Sequence, residues 1–131
     1  MKLKPGLVRT GAIDLEETRR QAEDAGYATF VLPANIIDRA SLFDAIRATL
    51  PLDPPLLGTR SWDAMSDSLW EGLYTHAAQR LVILWPHARG MEDSASSDFE
   101  TALNVLADVA SLLADPQATR DNPKEVTFLV E

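Results

Sequence analysis

Three short apolar runs constrain the fold of this 131-residue chain more than any other feature. They read YATFVLP at residues 27–33, RLVILWP at 80–86 and EVTFLVE at 125–131. Runs of this length, rich in β-branched and aromatic residues, are typical of strands that are buried on both faces. Segments with helical spacing of apolar residues separate them, and that alternation predicts parallel strands joined by crossover helices. The sequence therefore predicts an α/β fold with a small three-stranded parallel sheet and surrounding helices.

The segments between the runs carry helix start and stop signals. Asp14 and Asp38 can cap the first two helices, which Gly26 and Pro51 can end. Residues 51–58 contain three prolines and predict a turn or loop that leads into the next helix.

A longer helix is predicted near the carboxyl end. Residues 87–97 are small and polar and indicate a mobile loop, after which Ser97 or Asp98 can cap the helix. Its apolar residues fall on one side and are Phe99, Leu103, Leu106, Val109, Leu112 and Leu113.

The chain divides at the first strong strand signal. Residues 1–27 hold a short apolar piece around Leu7 and Val8 and a helix signal with little apolar content. They are interpreted as an N-terminal extension, either an appended βα unit or a loosely packed arm, and the sequence leaves both open. Residues 28–131 are predicted to form one domain.

Composition excludes several classes of function. Twenty acidic against twelve basic residues give a net charge of −8, which argues against direct binding of nucleic acid. Without cysteine the chain has no disulfide and no thiolate metal site. It shows neither a signal-peptide pattern nor an apolar run of about 18 residues, so we expect no membrane association and a cytoplasmic location. A monomer is the simplest expectation, although the sequence does not determine the oligomeric state.

The segment SWDAMSDSLWEGLY, residues 61–74, has two different faces when it is placed on a helix, and Ser61 or Thr59 can cap it. Trp62, Leu69 and Leu73 form the core stripe. An arc of roughly 60° on another side holds Asp63, Asp67, Trp70 and Tyr74.

Three of these four residues, Asp63, Asp67 and Trp70, have an ordinary explanation when each is taken alone. The helix dipole favours an acid in the first turn, exposed charges are mostly only solvated, and Trp70 can pack under a neighbouring loop. As a set, two acids beside two large aromatic side chains are typical of a protein-binding surface.

The order of elements and the motif Trp62, Asp63, Ala64 and Asp67 resemble the barstar family of ribonuclease inhibitors over residues 28–131. The resemblance implies an intracellular protein that inserts this helix and the loop before it into the active site of a basic nuclease or toxin. It also implies a bacterial immunity protein or antitoxin that is not an enzyme and needs no cofactor or metal.

The resemblance also implies which residues contact the partner. Asp63 and Asp67 would occupy the space of substrate phosphates, and an acid of the later helix, for which Asp108 is the nearest candidate, would join them. The predicted partner-binding residues are Gly58, Arg60, Asp63, Asp67, Trp70, Tyr74 and Asp108.

Three positions differ from the family pattern. Leu56 and Leu57 stand where barstar has tyrosines, and Ser66 stands where it has a tryptophan. These differences suggest a toxin other than barnase or a binding site no longer in use. Trp70 and Tyr74 would then supply the aromatic surface.

Two further functions stay open at this point. One is a binding or regulatory protein of the same fold with a non-nuclease partner. The other is a metal-dependent hydrolase that combines Asp63 and Asp67 with other polar side chains, although no recognised ligand spacing is present. The additional side chains for such a site would be His76, His87, Glu92 and Asp93.

Overall fold

The computed structural model describes residues 2–131 and shows five helices and four strands in that range. In chain order these are β1 (Gly6–Arg9), α1 (Leu15–Asp24), β2 (Ala28–Val31), α2 (Arg39–Thr49), α3 (Trp62–Thr75), β3 (Arg80–Trp85), α4 (Arg89–Ser94), α5 (Ser96–Ala114) and β4 (Glu125–Val130). None of these helices is both long and apolar enough to cross a membrane.

The strands form one parallel sheet in the order β1-β4-β3-β2. The predicted α/β fold with a parallel sheet is confirmed, whereas the predicted number of three strands is wrong. The additional strand, β1, lies at the edge of the sheet, and its Val8 and Arg9 are exposed. Its residues are half-buried or exposed, and they lack the continuous apolar run that identifies the two central strands. The other edge strand, β2, does carry such a run, but it was predicted to be buried and is only half-buried, because no strand pairs with its outer edge.

Helices cover both faces of the sheet. Leu81, Ile83 and Trp85 of β3 face the main core, to which α2, α3, α4 and α5 all contribute. Val82 and Leu84 point to the opposite face and pack with Ala22 of α1. Because successive residues of a strand point to opposite faces, burial on both sides explains why RLVILW is apolar throughout.

The first 27 residues contribute both β1 and α1. Strand β1 pairs with β4, and the amide of Leu3 donates a hydrogen bond of 2.9 Å to the hydroxyl of Tyr27. The division of the chain into an extension, 1–27, and a domain, 28–131, stays a prediction.

The helix caps predicted at Asp14, Asp38 and Ser61 are confirmed, because each side chain accepts a hydrogen bond from an amide in the first turn of its helix. The loop predicted at 87–97 is wrong, since α4 lies within it and α5 already begins at Ser96.

The predicted cap of α5 is also wrong. Its N-cap residue is Ala95, with no side-chain hydrogen bond, instead of Ser97 or Asp98. Burial of Met91 in the core stabilises α4 despite its polar sequence and displaces the start of α5.

Candidate functional site

Helix α3 packs against α5 and turns one apolar face toward the main core. The hydroxyl oxygen of Ser61 accepts a hydrogen bond of 3.3 Å from the amide of Ala64 and so fixes the start of the helix. Leu69 and Leu73 are fully buried, as predicted, and Met65 joins them. Trp62 is half-buried, with its ring centroid 5.3 Å from that of Phe43. Their burial determines which side of the helix is left outside.

The outer side of α3 carries unpaired negative charge. Asp63 and Asp67 are exposed, and neither makes a salt bridge with any residue in the range 2–131. Helices α3 and α5, which pack against each other, contain three acidic residues each and no lysine or arginine. The net charge of −8 is therefore concentrated on this pair of helices, where it creates a negative potential.

Trp70 and Tyr74 form a rigid aromatic pair next to these acids. Their rings stack with centroids 4.8 Å apart and an interplanar angle of 20°. The hydroxyl of Tyr74 donates a hydrogen bond of 2.9 Å to the carbonyl oxygen of Thr119. Both side chains are half-buried against the core, so they offer part of their surface to a partner at little cost in side-chain entropy.

A cavity of about 370 Å³ opens between α3 and the end of α5. Its lining residues are Ser66, Asp67, Trp70, Glu71, Leu112 and Ala118. Two carboxylates, an indole ring and an aliphatic side chain suit a group with an apolar stem and a positive end.

Four residues that line this cavity are not among the predicted contact residues, namely Ser66, Glu71, Leu112 and Ala118. Glu71 follows Asp67 by four residues, and this spacing places it beside the arc of Asp63, Asp67, Trp70 and Tyr74. Leu112 was assigned to the apolar side of α5, but it is 48 % exposed. That prediction is wrong because Val109 and Leu113 already fill the core at this point of the helix.

The loop before α3 is held by two arginine side chains of α2. Nη2 of Arg47 donates to the carbonyl oxygen of Thr59 at 2.6 Å, and its Nε donates to that of Leu56. Nε of Arg39 donates to the carbonyl oxygen of Arg60 at 2.8 Å, and its guanidinium lies 4.7 Å from the ring centroid of Trp62. These contacts order residues 56–60 before any partner binds.

The two leucines of this loop have different environments. Leu56 is buried, whereas Leu57 is 84 % exposed and so is available to a partner. Gly58 follows with φ of 68°, a left-handed conformation that glycine adopts without strain. Leu57 was not among the predicted contact residues because the sequence alone does not distinguish it from Leu56.

Arg60 is exposed and lies close to Asp38, the N-cap residue of α2. The pKa of Asp38 is lowered, first by a hydrogen bond from the amide of Ser41, then by one from the Ser41 hydroxyl, with a smaller contribution from the charge of Arg60. Gly58 and Arg60, the two contact residues predicted in the loop, lie directly before Asp63 and the acidic side of α3.

Asp108 is exposed on α5 and lies one turn before Leu112. Residues four apart share a side of a helix, so Asp108 lies on the side of α5 that borders the cavity. Of the seven predicted contact residues, Asp67 and Trp70 line the cavity. Gly58, Arg60 and Asp63 lie along the loop and the first turn of α3.

The side chains named for a metal site do not converge. His76 precedes β3 and His87 follows it, so the six residues of that strand separate them by about 20 Å. Nδ1 of His76 accepts a hydrogen bond of 3.0 Å from the amide of Ala78, whereas His87 lies 3.2 Å from a carboxylate oxygen of Glu131. Within residues 2–131 no three potential metal ligands form a group.

Comparison with known proteins gave one match. A family model described as "Barstar (barnase inhibitor)" matches residues 27–130. The searches of curated proteins and of solved structures found no match.

Proposed function

The chain belongs to the barstar family, whose members are inhibitors rather than enzymes, and from this premise we propose that it inhibits a basic nuclease by binding to its active site. In this proposal α3 and the loop 56–60 enter the active-site cleft. Asp63 and Asp67 take the positions of substrate phosphates and meet arginine, lysine or histidine side chains of the nuclease. Trp70, Tyr74 and Asp108 extend the contact along α3 and α5.

One observation carries this proposal: two exposed carboxylates on α3 have no cationic partner within residues 2–131, and neither α3 nor the adjacent α5 contains a basic residue. A surface with this charge attracts a basic protein over distances up to about 10 Å at moderate salt. Once water is excluded, hydrogen bonds between carboxylates and guanidinium groups are strong and specific.

The ordered loop supports the same proposal. Binding costs free energy when a loop must become ordered, and a loop that is already fixed avoids most of that cost. Arg47 and Arg39 hold the main chain of residues 56–60, while the side chain of Leu57 extends into solvent. Leu57 would then contact apolar surface at the rim of the nuclease active site.

The cellular role that follows is that of an immunity protein or antitoxin. The protein would act in the cytoplasm, where it would bind the nuclease as a monomer and protect cellular RNA. The partner would be either barnase itself or a different toxin. A direct measurement of binding to barnase distinguishes the two.

Affinity capture from the native cell, followed by assays of the captured protein, tests the proposal. We expect the wild-type chain to capture a basic protein that cleaves RNA and loses that activity when the chain is added back. Capture by the Asp63→Ala/Asp67→Ala variant should be much weaker. The matched control is Asp24→Ala/Asp93→Ala, which removes two exposed acids of α1 and α4 that make no hydrogen bond or salt bridge within residues 2–131.

Two results would contradict the proposal. A captured partner without nuclease activity, bound equally well by both variants, would indicate a binding protein with another target. Cleavage of a phosphoester by the purified chain only with an added divalent metal would indicate a hydrolase.

A further inference from the structure

A second cavity, of about 660 Å³, lies where the four parallel strands end. The carboxyl end of every strand contributes to its wall. Arg9 ends β1 and residues 10–12 follow it, residues 34–37 come after β2, His87, Arg89 and Gly90 come after β3, and Glu131 follows β4. Its volume lies in the range of cavities that bind small molecules.

The topology of the sheet makes this position the expected one for a ligand. In open parallel sheets, ligands bind beyond the carboxyl ends of the strands, where the chain leaves neighbouring strands toward opposite faces. Here the diverging strands β1 and β3 lie on either side of β4. Strand β1 continues into α1 on one face, whereas β2 and β3 continue into helices on the other face. The cavity lies between these diverging connections.

The charged side chains of the cavity favour an anion. Arg89 is exposed and has no hydrogen bond or salt bridge with any residue that the structure describes. Arg9 also lines the cavity, and Nη2 lies 3.2 Å from a carboxylate oxygen of Glu92. The one lining carboxylate, that of Glu131, already accepts hydrogen bonds from the amides of Ile13 and His87, at 2.8 and 3.0 Å.

The main chain around the cavity is unusual as well. Asn35 and His87 have φ of 69° and 59°, a left-handed conformation that is uncommon for residues other than glycine. Beside Asn35, Ile37 is 52 % exposed and gives the cavity an apolar wall.

We propose that this cavity binds a small phosphorylated molecule, with Arg89 and Arg9 contacting the phosphate and Ile37 contacting its carbon body. The planar guanidinium group of Arg89, which has no acidic partner among the described residues, matches the geometry of phosphate oxygens. Arg9 would share its charge between Glu92 and the phosphate. Asp63 and Asp67 take no part, so this site does not depend on nuclease inhibition.

Isothermal titration calorimetry of the full chain tests the site. The ligands are adenosine 5′-monophosphate, ribose 5-phosphate and inorganic phosphate, with ribose as the uncharged control. We expect saturable binding of at least one of the two organic phosphates, weaker binding of inorganic phosphate and none of ribose. Arg89→Gln should weaken binding about tenfold or more, because a charged hydrogen bond is lost. The matched control Arg20→Gln, on the exposed side of α1, should bind like the wild type.

Three results would overturn the inference. The first is no saturable binding of any of the three phosphates by the wild-type chain. The second is the same affinity for Arg89→Gln as for the wild type. The third is equal affinity for inorganic phosphate and the organic phosphates, which would exclude the contribution of Ile37.

Discussion

At the scale of single residues, Gly72 shows how α3 can approach the proline-rich loop so closely. A Cβ atom at this position would lie 2.2 Å from the carbonyl oxygen of Pro51 and 2.5 Å from its carbon. The contact is with main chain, which cannot rotate away as a side chain would. The amide of Asp53, in this loop, also donates a hydrogen bond of 3.0 Å to the carbonyl oxygen of Ser68 in α3. Gly72 is thus required for the packing of this loop on α3.

Gly72→Ala should lower the free energy of unfolding by about 2 kcal/mol or more, since the helix and the loop must separate to admit a methyl group. Chemical denaturation measures this change. Gly11→Ala is the control, because nothing lies within 4 Å of its Cβ position, and it should leave stability within about 1 kcal/mol of the wild type. Equal stability of the two variants would show that the close approach is absent.

At the scale of elements, the sequence predicted those that carry a continuous or periodic apolar pattern or a clear capping residue. Strand β3 carries a continuous apolar run, which locates it at residues 80–85. The inward face of α3 carries a periodic apolar pattern, which locates that helix at residues 62–73. Strand β1 and helix α4 could not be located from the sequence, because tertiary contacts stabilise them. Strand β1 pairs with β4, and α4 buries Met91 in the core.

The candidate site was predictable to a similar extent. The helical period placed Asp63 and Asp67 outside the core. It could not show that Leu57 is exposed and Leu56 buried, because main-chain hydrogen bonds from Arg47 determine the path of that loop.

Arg47→Ala tests whether this loop is ordered in advance. Loss of the hydrogen bonds to the carbonyl oxygens of Leu56 and Thr59 should lower the free energy of unfolding by about 1 to 3 kcal/mol. Affinity for the proposed nuclease partner should fall as well, since the loop must then be ordered on binding. Denaturation and a binding titration measure the two effects.

The control for Arg47→Ala is Asp44→Ala. It removes an exposed salt-bridge partner of Arg47 and keeps the loop contacts, so it should change stability by less than about 1 kcal/mol. If Arg47→Ala were as stable as Asp44→Ala, Arg47 would not hold the loop.

At the scale of the whole molecule, Glu131 connects the two ends of the chain. Its carboxylate accepts hydrogen bonds from the amide of Ile13, in the β1–α1 connection, and from that of His87, after β3. These two bonds, with a smaller effect of the His87 charge, lower the pKa of Glu131 below its ordinary value of 4.5. The ionised form is thus favoured in the folded state, and this preference stabilises the fold.

The stabilisation by Glu131 should depend on pH. It is complete above pH 4.5 and is lost as the pH falls through the lower pKa of the folded state. Glu131→Gln should therefore be less stable than the wild type at neutral pH, and the difference should shrink in acid. Denaturation at several pH values measures it, with the exposed Glu100→Gln as control. A difference that does not change with pH would contradict the assignment of the two bonds to the ionised carboxylate.

The most direct test of the central claim is a titration of the captured nuclease with the chain, in which residual RNA cleavage is measured at low and high salt. Asp63→Ala/Asp67→Ala should raise the inhibition constant at least about tenfold at low salt, since two charged hydrogen-bonding groups are lost. Its inhibition should also depend less on salt than that of the wild type. Asp24→Ala/Asp93→Ala should inhibit like the wild type. An unchanged inhibition constant and salt dependence for a folded Asp63→Ala/Asp67→Ala variant would contradict the claim that α3 occupies the active site.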